Sequence, residues 1–115
     1  MSWLGPLVSA LMLMATAPAV RTSPTTTTPA DSSCPQWYGL ALETGWSADD
    51  WPVLDRLLWC ESRCDPQAHN ASGASGLLQL MPFWWKGRDP YDPRVNLTIG
   101  LEVLNAQGWR AWSCY

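Results

Sequence analysis

The stretch WCESRCDPQAHNASGASGLLQLMP, residues 59–82, decides the fold of this chain. It starts at the end of an apolar helical pattern, continues through a proline turn and a loop of Gly, Ser and Ala, and ends in a segment that carries Gln79. Two polar side chains, Glu61 and Gln79, therefore stand in apolar surroundings on the two sides of a loop. We expect this part of the chain to form a cleft that contains a carboxyl group.

Glu61 is the candidate general acid. It shares one face of a predicted helix with three residues that must be buried, Leu54, Leu57 and Leu58. Asp65-Pro66 ends this helix, so Glu61 lies in the last turn, near the negative end of the helix dipole. Partial burial and the dipole both raise the pKa of a carboxyl group, and a glutamic acid that is protonated near neutral pH can donate a proton in catalysis. The alternative is a glutamate at the rim of the core that forms an ion pair with Arg63.

Residues 59–82 and the segment after them resemble the soluble lytic transglycosylase and goose-type lysozyme group, the transglycosylase SLT-like domains. The matching positions are Glu61-Ser62, Pro66, residues 73–82, Asp92-Pro93, Asn96-Leu97 and Gly100. The resemblance extends over residues 51–104, with the acid, the loop and the next helix in the family's order. Residues 34–37, 61–64 and 108–113 are similar to small secreted actinobacterial lysozyme-like proteins.

The resemblance implies a lysozyme-like fold and cleavage of peptidoglycan at the β-1,4 bond between N-acetylmuramic acid and N-acetylglucosamine. Glu61 would be the catalytic acid and then the base, with no cofactor and no metal. The residues that would bind substrate or line its cleft are Ser62, Asn70, Gly76, Leu77, Gln79, Trp109 and Trp112. The loop glycines would let the backbone approach a flat sugar closely. Two departures are Asn70, where the family often has a serine, and the family's late Tyr-Asn pair, which has no match here.

Two questions of function stay open at this level. We favour a single-acid mechanism with help from the substrate's own groups, and its product is either a hydrolysed end or an anhydro sugar. Asp65 lies one turn after Glu61, but the family has no catalytic acid there. A function of another class is a peptidoglycan-binding or signalling module that keeps the fold without turnover.

Composition divides the chain into three parts. Residues 1–19 carry no charged side chain and contain a short apolar run before Ala17-Pro18-Ala19, which predicts a secretory signal peptide. An uncleaved anchor is the alternative. Residues 20–33 are rich in Thr, Pro and Ser and predict a disordered linker, and residues 34–115 form the predicted domain. We therefore expect a secreted, cell-wall-associated protein.

The charge and the aromatic residues limit the partners. A net charge of −3 does not suit a nucleic-acid-binding protein. Nine tryptophans against one phenylalanine suit a surface that contacts flat sugar faces, although tryptophan also fills small cores. We expect most of them in the core and two or three in the walls of the cleft. We expect a monomer that contacts peptidoglycan glycan strands and, after removal of the signal peptide, no membrane.

Four cysteines, Cys34, Cys60, Cys64 and Cys114, predict two disulfides in a small exported domain. Three pairings are possible, and we favour Cys34–Cys64 with Cys60–Cys114. A zinc site built from Cys60, Cys64 and His69 is the competing interpretation. Export and the acid between the two thiols disfavour it.

The predicted fold class is mainly α. A short first helix ends near Gly45, and a second helix runs from a cap at Ser47 to about Arg63. Asp92-Pro93 is a typical start for a last helix, which Gly108 ends. The alternation of apolar residues in this last segment also fits a strand, and we favour the helix because of its cap.

Overall fold

The computed structural model describes residues 27–115, so the predicted signal peptide and residues 20–26 of the predicted linker lie outside the described part. Within residues 27–115, four α-helices follow one another: α1 (Tyr38–Glu43), α2 (Trp51–Ser62), α3 (Pro82–Trp85) and α4 (Pro93–Gln107). Single 3₁₀ turns lie at Pro35–Trp37, Ala48–Asp50 and Trp109–Ala111. Extended pairing within residues 27–115 is limited to two isolated β-bridges, and the prediction of a mainly α fold is confirmed.

The start of α2 differs from the prediction by one short turn. Ser47 Oγ accepts a hydrogen bond from the Asp49 N–H at 3.0 Å, so it caps the 3₁₀ turn that precedes the helix and not α2 itself. Pro52 then occupies the first turn of α2. A backbone N–H there would have no acceptor within the helix, so the proline loses no helical hydrogen bond. Ser47 is therefore an N-cap, as predicted, but it caps the 3₁₀ turn Ala48–Asp50.

The apolar face of α2 is buried. Its three leucines, Leu54, Leu57 and Leu58, are fully inaccessible, whereas Glu61 in the last turn is only partly buried. The helix ends at Ser62 because Arg63 and Cys64 both adopt left-handed backbone angles, with φ of 56° and 65°. This geometry places Glu61 where the buried face of the helix meets solvent.

α4 forms in the segment whose pattern fits either a helix or a strand. Asp92 is its N-cap, since its carboxylate accepts the N–H groups of Arg94 and Val95 at 2.9 and 3.3 Å. Pro93 holds the first helical position, and the chain leaves the helix at Gly108, whose φ is 76°. The cap and the terminator thus decide between the two patterns, and the helix prediction is confirmed.

Two disulfides tie the ends of the domain to the last turn of α2 and to the turn that follows it. Cys34 pairs with Cys64 and Cys60 pairs with Cys114, across 30 and 54 residues, which is the pairing that the sequence favours. All four thiols are therefore engaged, which leaves none to bind zinc. Among residues 27–115, no group of three or more His, Cys, Asp or Glu side chains is arranged to hold a metal ion.

The segment before Cys34 is bonded to α2. The buried carboxylate of Asp55 accepts the backbone N–H groups of Ser33 and Cys34 at 2.8 and 2.7 Å. The indole N–H of Trp51 donates to Ser32 Oγ at 2.9 Å. The last two residues of the predicted linker, Ser32 and Ser33, thus pack with the domain.

In the described part of the chain, none of the helices has the length and apolar character needed to cross a bilayer.

Candidate functional site

A cleft of about 270 Å³ opens beside the last turn of α2. Its walls come from α2, from the segment between α2 and α3, and from residues 111–113. The lining residues are Glu61, Asn70, Ser72, Ala74, Gln79, Met81, Ala111, Trp112 and Ser113. Glu61 and Gln79 therefore share one cleft, the arrangement that the sequence predicts, and Asn70 and Trp112 lie in it as well.

The carboxyl group of Glu61 is the single ionisable side chain among the residues that line this cleft. Burial raises its pKa above the ordinary value of a glutamate, because the charged form loses contact with water. The nearby backbone N–H of Cys114 favours the charged form and lowers the pKa by a smaller amount. Burial dominates, so the site favours the protonated acid.

Gln79 reaches the cleft from a strained backbone. Its φ of 49° lies in the left-handed region, which costs a residue with a side chain roughly 1–2 kcal/mol. Its side-chain Nε2 donates to the carbonyls of Ala68 at 3.2 Å and Gly76 at 3.0 Å. These two bonds fix the amide against its own loop and leave its oxygen as the group that can accept a hydrogen bond from a ligand.

Asn96 on α4 holds the loop in place and was not singled out as a functional residue from the sequence. Its side chain is fully buried, and Oδ1 accepts the N–H of Leu78 at 2.9 Å. Nδ2 donates to the carbonyls of Ser75 at 3.1 Å and Pro90 at 2.9 Å. The amide thereby satisfies three buried backbone groups of segments that belong to no regular element. Asn96 positions the cleft without facing it.

The C-terminal wall of the cleft is anchored by Trp112. Its ring is buried, and its indole N–H donates to the carbonyl of Leu78 at 3.0 Å. The neighbours Ala111 and Ser113 are exposed and line the cleft on either side. The sequence indicates Trp112 through its size, whereas the two small residues beside it carry no signal of their own.

A second cavity of about 170 Å³ adjoins the first. The two cavities share four lining residues, Gln79, Met81, Ala111 and Trp112. The second one continues between α3 and α4, where it adds Trp84 and Gln107. Together they form a groove that carries one acid, indole rings and several amides, which are the groups that bind neutral sugars.

Three of the predicted substrate-binding residues lie outside the cleft lining. Ser62 is buried, and its hydroxyl donates to the carbonyl of Leu58 at 3.0 Å within α2, so it contributes to the helix. Leu77 is fully buried in the core. Trp109 stacks on Tyr115 with a centroid separation of 5.8 Å. The spacing of these residues along the chain does not reveal which way each side chain faces.

Gly76 is a fourth predicted contact with a different role. It is buried with φ of 80°, and a Cβ atom built there would lie 2.1 Å from the Pro90 carbonyl oxygen and 2.3 Å from Asn96 Nδ2. The glycine is therefore required by the approach of its own chain to α4. This internal packing alone is sufficient to require a glycine at position 76.

Two other polar residues near the loop take no part in the cleft lining. The exposed carboxylate of Asp65 accepts the backbone N–H of Gln67 at 2.8 Å, as a residue in a helix-ending turn does. His69 is exposed, and its Nδ1 lies 3.1 Å from the hydroxyl of Tyr91. Neither places a second carboxylate or a base beside Glu61.

Comparison with known proteins identifies the family. Residues 44–108 match the family described as Transglycosylase SLT domain. The chain is similar to the Probable transglycosylase IsaA of Staphylococcus aureus strain bovine RF122 / ET3-1 and of strain Newman, at 37% identity over 73 residues in each case. The matched part is 64% of this chain but only 29% of each relative. No solved structure matches. Because the family match covers more than half of its residues, this chain belongs to the transglycosylase SLT domain family.

Proposed function

We propose that this chain is a secreted enzyme that cleaves the β-1,4 bond between N-acetylmuramic acid and N-acetylglucosamine in peptidoglycan. The observation that carries the proposal is a single, partly buried carboxyl group, Glu61, whose pKa is raised by burial and which lines a cleft. The family and the relatives named as probable transglycosylases support chemistry of this type. The two disulfides fit a protein that works in an oxidising compartment outside the cell.

Glu61 acts first as the acid and then as the base. Its proton passes to the glycosidic oxygen as the bond between that oxygen and the anomeric carbon breaks, and positive charge develops on the sugar ring. The carboxylate that remains takes a proton from the incoming nucleophile. A water molecule gives a hydrolysed end, and a hydroxyl of the same sugar gives an anhydro ring.

The mechanism uses one carboxyl group of the chain. Glycosidases with two acids place them about 5–10 Å apart on either side of the bond. In this cleft Glu61 is the one lining residue with a carboxyl group, and Asp65 is exposed and bonded to its own turn. The substrate therefore supplies the second functional group, and the chain supplies the proton and the shape of the site.

The rest of the groove suits a glycan strand. The partly exposed ring of Trp84 offers an apolar face, and Gln79, Asn70 and Gln107 offer amides that can bond to hydroxyl and acetamido groups. The groups lining the groove other than Glu61 are neutral, which agrees with recognition of sugar rings in place of charged parts of the wall. The chain acts on these strands as a monomer.

The test is clearance of a peptidoglycan suspension by the secreted domain, with Glu61→Gln beside it. Wild type should clear the suspension, and Glu61→Gln should lose roughly 10²–10⁴-fold in rate while it still folds and binds. Glu43→Gln is the matched control, because Glu43 is exposed and pairs with Arg94 at 2.7 Å, away from the cleft. Equal clearance by wild type and Glu61→Gln would refute the role of Glu61. Binding without clearance by any variant would establish the binding-module alternative.

A further inference from the structure

The short helix α3 presents an exposed aromatic ring beside the groove. Phe83 is 81% exposed, the highest value among the large apolar side chains that face solvent in residues 27–115. Burial of a phenylalanine side chain stabilises a fold, and this position forgoes most of that gain. The packing of the domain therefore does not account for a phenylalanine here.

The other exposed apolar rings in the described part of the chain have partners across their faces. A guanidinium group lies 4.6 Å from the centre of the Trp59 ring, and Tyr115 stacks on Trp109 with 10° between the ring planes. Phe83 instead meets Trp84 edge to face, with ring centroids 5.3 Å apart and planes at 88°. At least one face of the Phe83 ring is thus open to solvent.

This exposed ring is continuous with the groove. Met81 is 45% exposed and lines both cavities, and Trp84 lines the second one. Phe83 contacts Trp84 on the outside of α3. Met81, Phe83 and Trp84, which we call the α3 patch, therefore extend the apolar wall of the groove onto the outer surface. A polymer that leaves the second cavity on this side passes over them.

Hydrogen bonds hold α3 in a fixed position. Arg88 donates to the two carboxylate oxygens of Glu102 on α4 at 3.0 Å each, and also to the carbonyl of Trp84 at 3.0 Å. The indole N–H of Trp85 donates to the carbonyl of Leu80 at 2.9 Å. A ligand that binds to a surface already held in place loses less affinity to the ordering of that surface.

We propose that the α3 patch is an outer binding site for a sugar ring of the glycan strand, with the ring of Phe83 packed against the apolar face of the sugar. The inference rests on the proposed function, since the strand is the proposed substrate. It adds a contact outside the cleft that contains Glu61. Such a contact favours long strands over short fragments, because one short fragment cannot occupy the cleft and the patch together.

The size and charge of the site favour a sugar over a protein partner. A stable protein interface buries about 800 Å² on each partner, whereas one aromatic side chain contributes about 150–250 Å². The α3 patch consists of one methionine and two rings, and one of these rings, Trp84, is already partly buried. The residues that line the adjoining second cavity are all neutral, which suits an uncharged sugar ring.

The test measures binding without turnover, in the secreted protein that carries Glu61→Gln. The probes are long glycan strands freed of their stem peptides and the disaccharide unit of the same strands. Addition of Phe83→Ser should weaken binding of the long strands about tenfold and change binding of the disaccharide far less. Trp59→Ser is the matched control, because it removes an exposed ring that lines neither cavity and should leave both affinities unchanged.

Two further variants separate ring packing from general apolar contact. Phe83→Tyr keeps the flat ring and should retain the affinity for long strands. Phe83→Leu keeps an apolar side chain without a flat face and should behave like Phe83→Ser. Equal binding of long strands by Phe83→Leu and by the protein with Phe83 would contradict the packing of a ring on the sugar.

The remaining outcomes also decide the inference. Unchanged binding of long strands in Phe83→Ser, or an equal loss for both probes, would overturn it. A dimer that Phe83→Ser dissociates, measured by sedimentation, would identify the α3 patch as a contact between two copies and would overturn it as well. These results leave the role of Glu61 to the clearance assay, so the inference can fail while the proposed function stands. If the protein with Phe83 binds neither probe, the inference fails together with the proposed substrate.

Discussion

The guanidinium carbon of Arg63 lies 4.6 Å from the centre of the Trp59 ring. The sequence allows Arg63 to pair with Glu61 instead, and that ion pair would lower the pKa of the acid and argue against catalysis. The ion pairs within residues 27–115 involve neither residue. With its charge over an indole ring, Arg63 leaves burial as the dominant influence on the pKa of Glu61.

Arg63→Gln tests whether Arg63 influences the pKa of Glu61. The pKa of Glu61 should stay close to its wild-type value, because no ion pair is lost. The free energy of unfolding should fall by about 0.5–1 kcal/mol, because the cation–π contact disappears. NMR titration of the Glu61 carboxyl carbon and urea denaturation measure the two quantities. A large rise in the pKa of Glu61 would show that Arg63 does stabilise the carboxylate.

Asn96→Ala should be strongly destabilising. The substitution leaves the N–H of Leu78 and the carbonyls of Ser75 and Pro90 without their side-chain partner. Each buried polar group without a partner costs about 1–3 kcal/mol, so we expect a loss of about 3 kcal/mol or more in the free energy of unfolding. Asn105→Ala is the control, since Asn105 is exposed on the same helix. Urea denaturation of both variants checks the prediction, and equal losses would contradict it.

Gly100→Ala tests the contact between α4 and the loop. A Cβ atom at this position would lie 2.3 Å from Leu78 Cδ1, and Leu78 is fully buried with little room to move. We expect a loss of about 1–3 kcal/mol by overpacking, although alanine is the better helix former. In Gly39→Ala, in α1, the added Cβ atom would meet nothing within 4 Å, so the free energy of unfolding should rise by up to about 1 kcal/mol. Thermal unfolding compares the two variants. A stabilised Gly100→Ala would show that the Leu78 side chain can shift to accommodate the added methyl group.

The parts of the fold that local signals specify were predictable. The buried leucines of α2 follow helical spacing, and the start of α4 follows from the cap at Asp92 and the proline after it. Glu61 could be placed near the end of an apolar face because Asp65-Pro66 predicts a helix end there, although the helix stops earlier, at Ser62. These features depend on residues within one or two turns of each other.

The parts that depend on contacts distant in sequence were not predictable. In the sequence, Gly76 is typical of an exposed loop glycine. Only its close approach to Pro90 in the structure shows why no side chain fits there. Asn96 matches a family pattern, but its three bonds reach residues 6, 18 and 21 positions away. Ala111 and Ser113 line the cleft because a disulfide brings the chain end back to α2. The roles of these residues depend on side-chain orientation and on contacts between segments distant in sequence. Neither produces a pattern in the neighbouring residues.

The pH–rate profile should report the raised pKa of Glu61. Its proton must be present for the first step, so activity should fall on the alkaline side as the free enzyme loses that proton. Burial places this limb above the roughly 4.3 of an ordinary glutamate. Clearance rates at limiting substrate across pH measure the limb, and the NMR titration of Glu61 should give the same midpoint. A limb at the ordinary value would show that the carboxyl group is solvated in the working enzyme.

The same raised pKa predicts a pH dependence of stability. The folded domain holds the Glu61 proton more tightly than the unfolded chain does, so the unfolded chain binds fewer protons across the interval between the two pKa values. The stabilising contribution of this group is therefore complete below the unfolded pKa of about 4.3 and is lost as pH rises through the folded pKa. Glu61→Gln stays neutral, so its free energy of unfolding should lack this decline. The difference in unfolding free energy between Glu61→Gln and wild type should grow as pH rises through the interval, as measured by urea denaturation at a series of pH values. A difference that does not vary with pH would mean that folding leaves the pKa of Glu61 unchanged, and burial would then no longer explain why this acid keeps its proton.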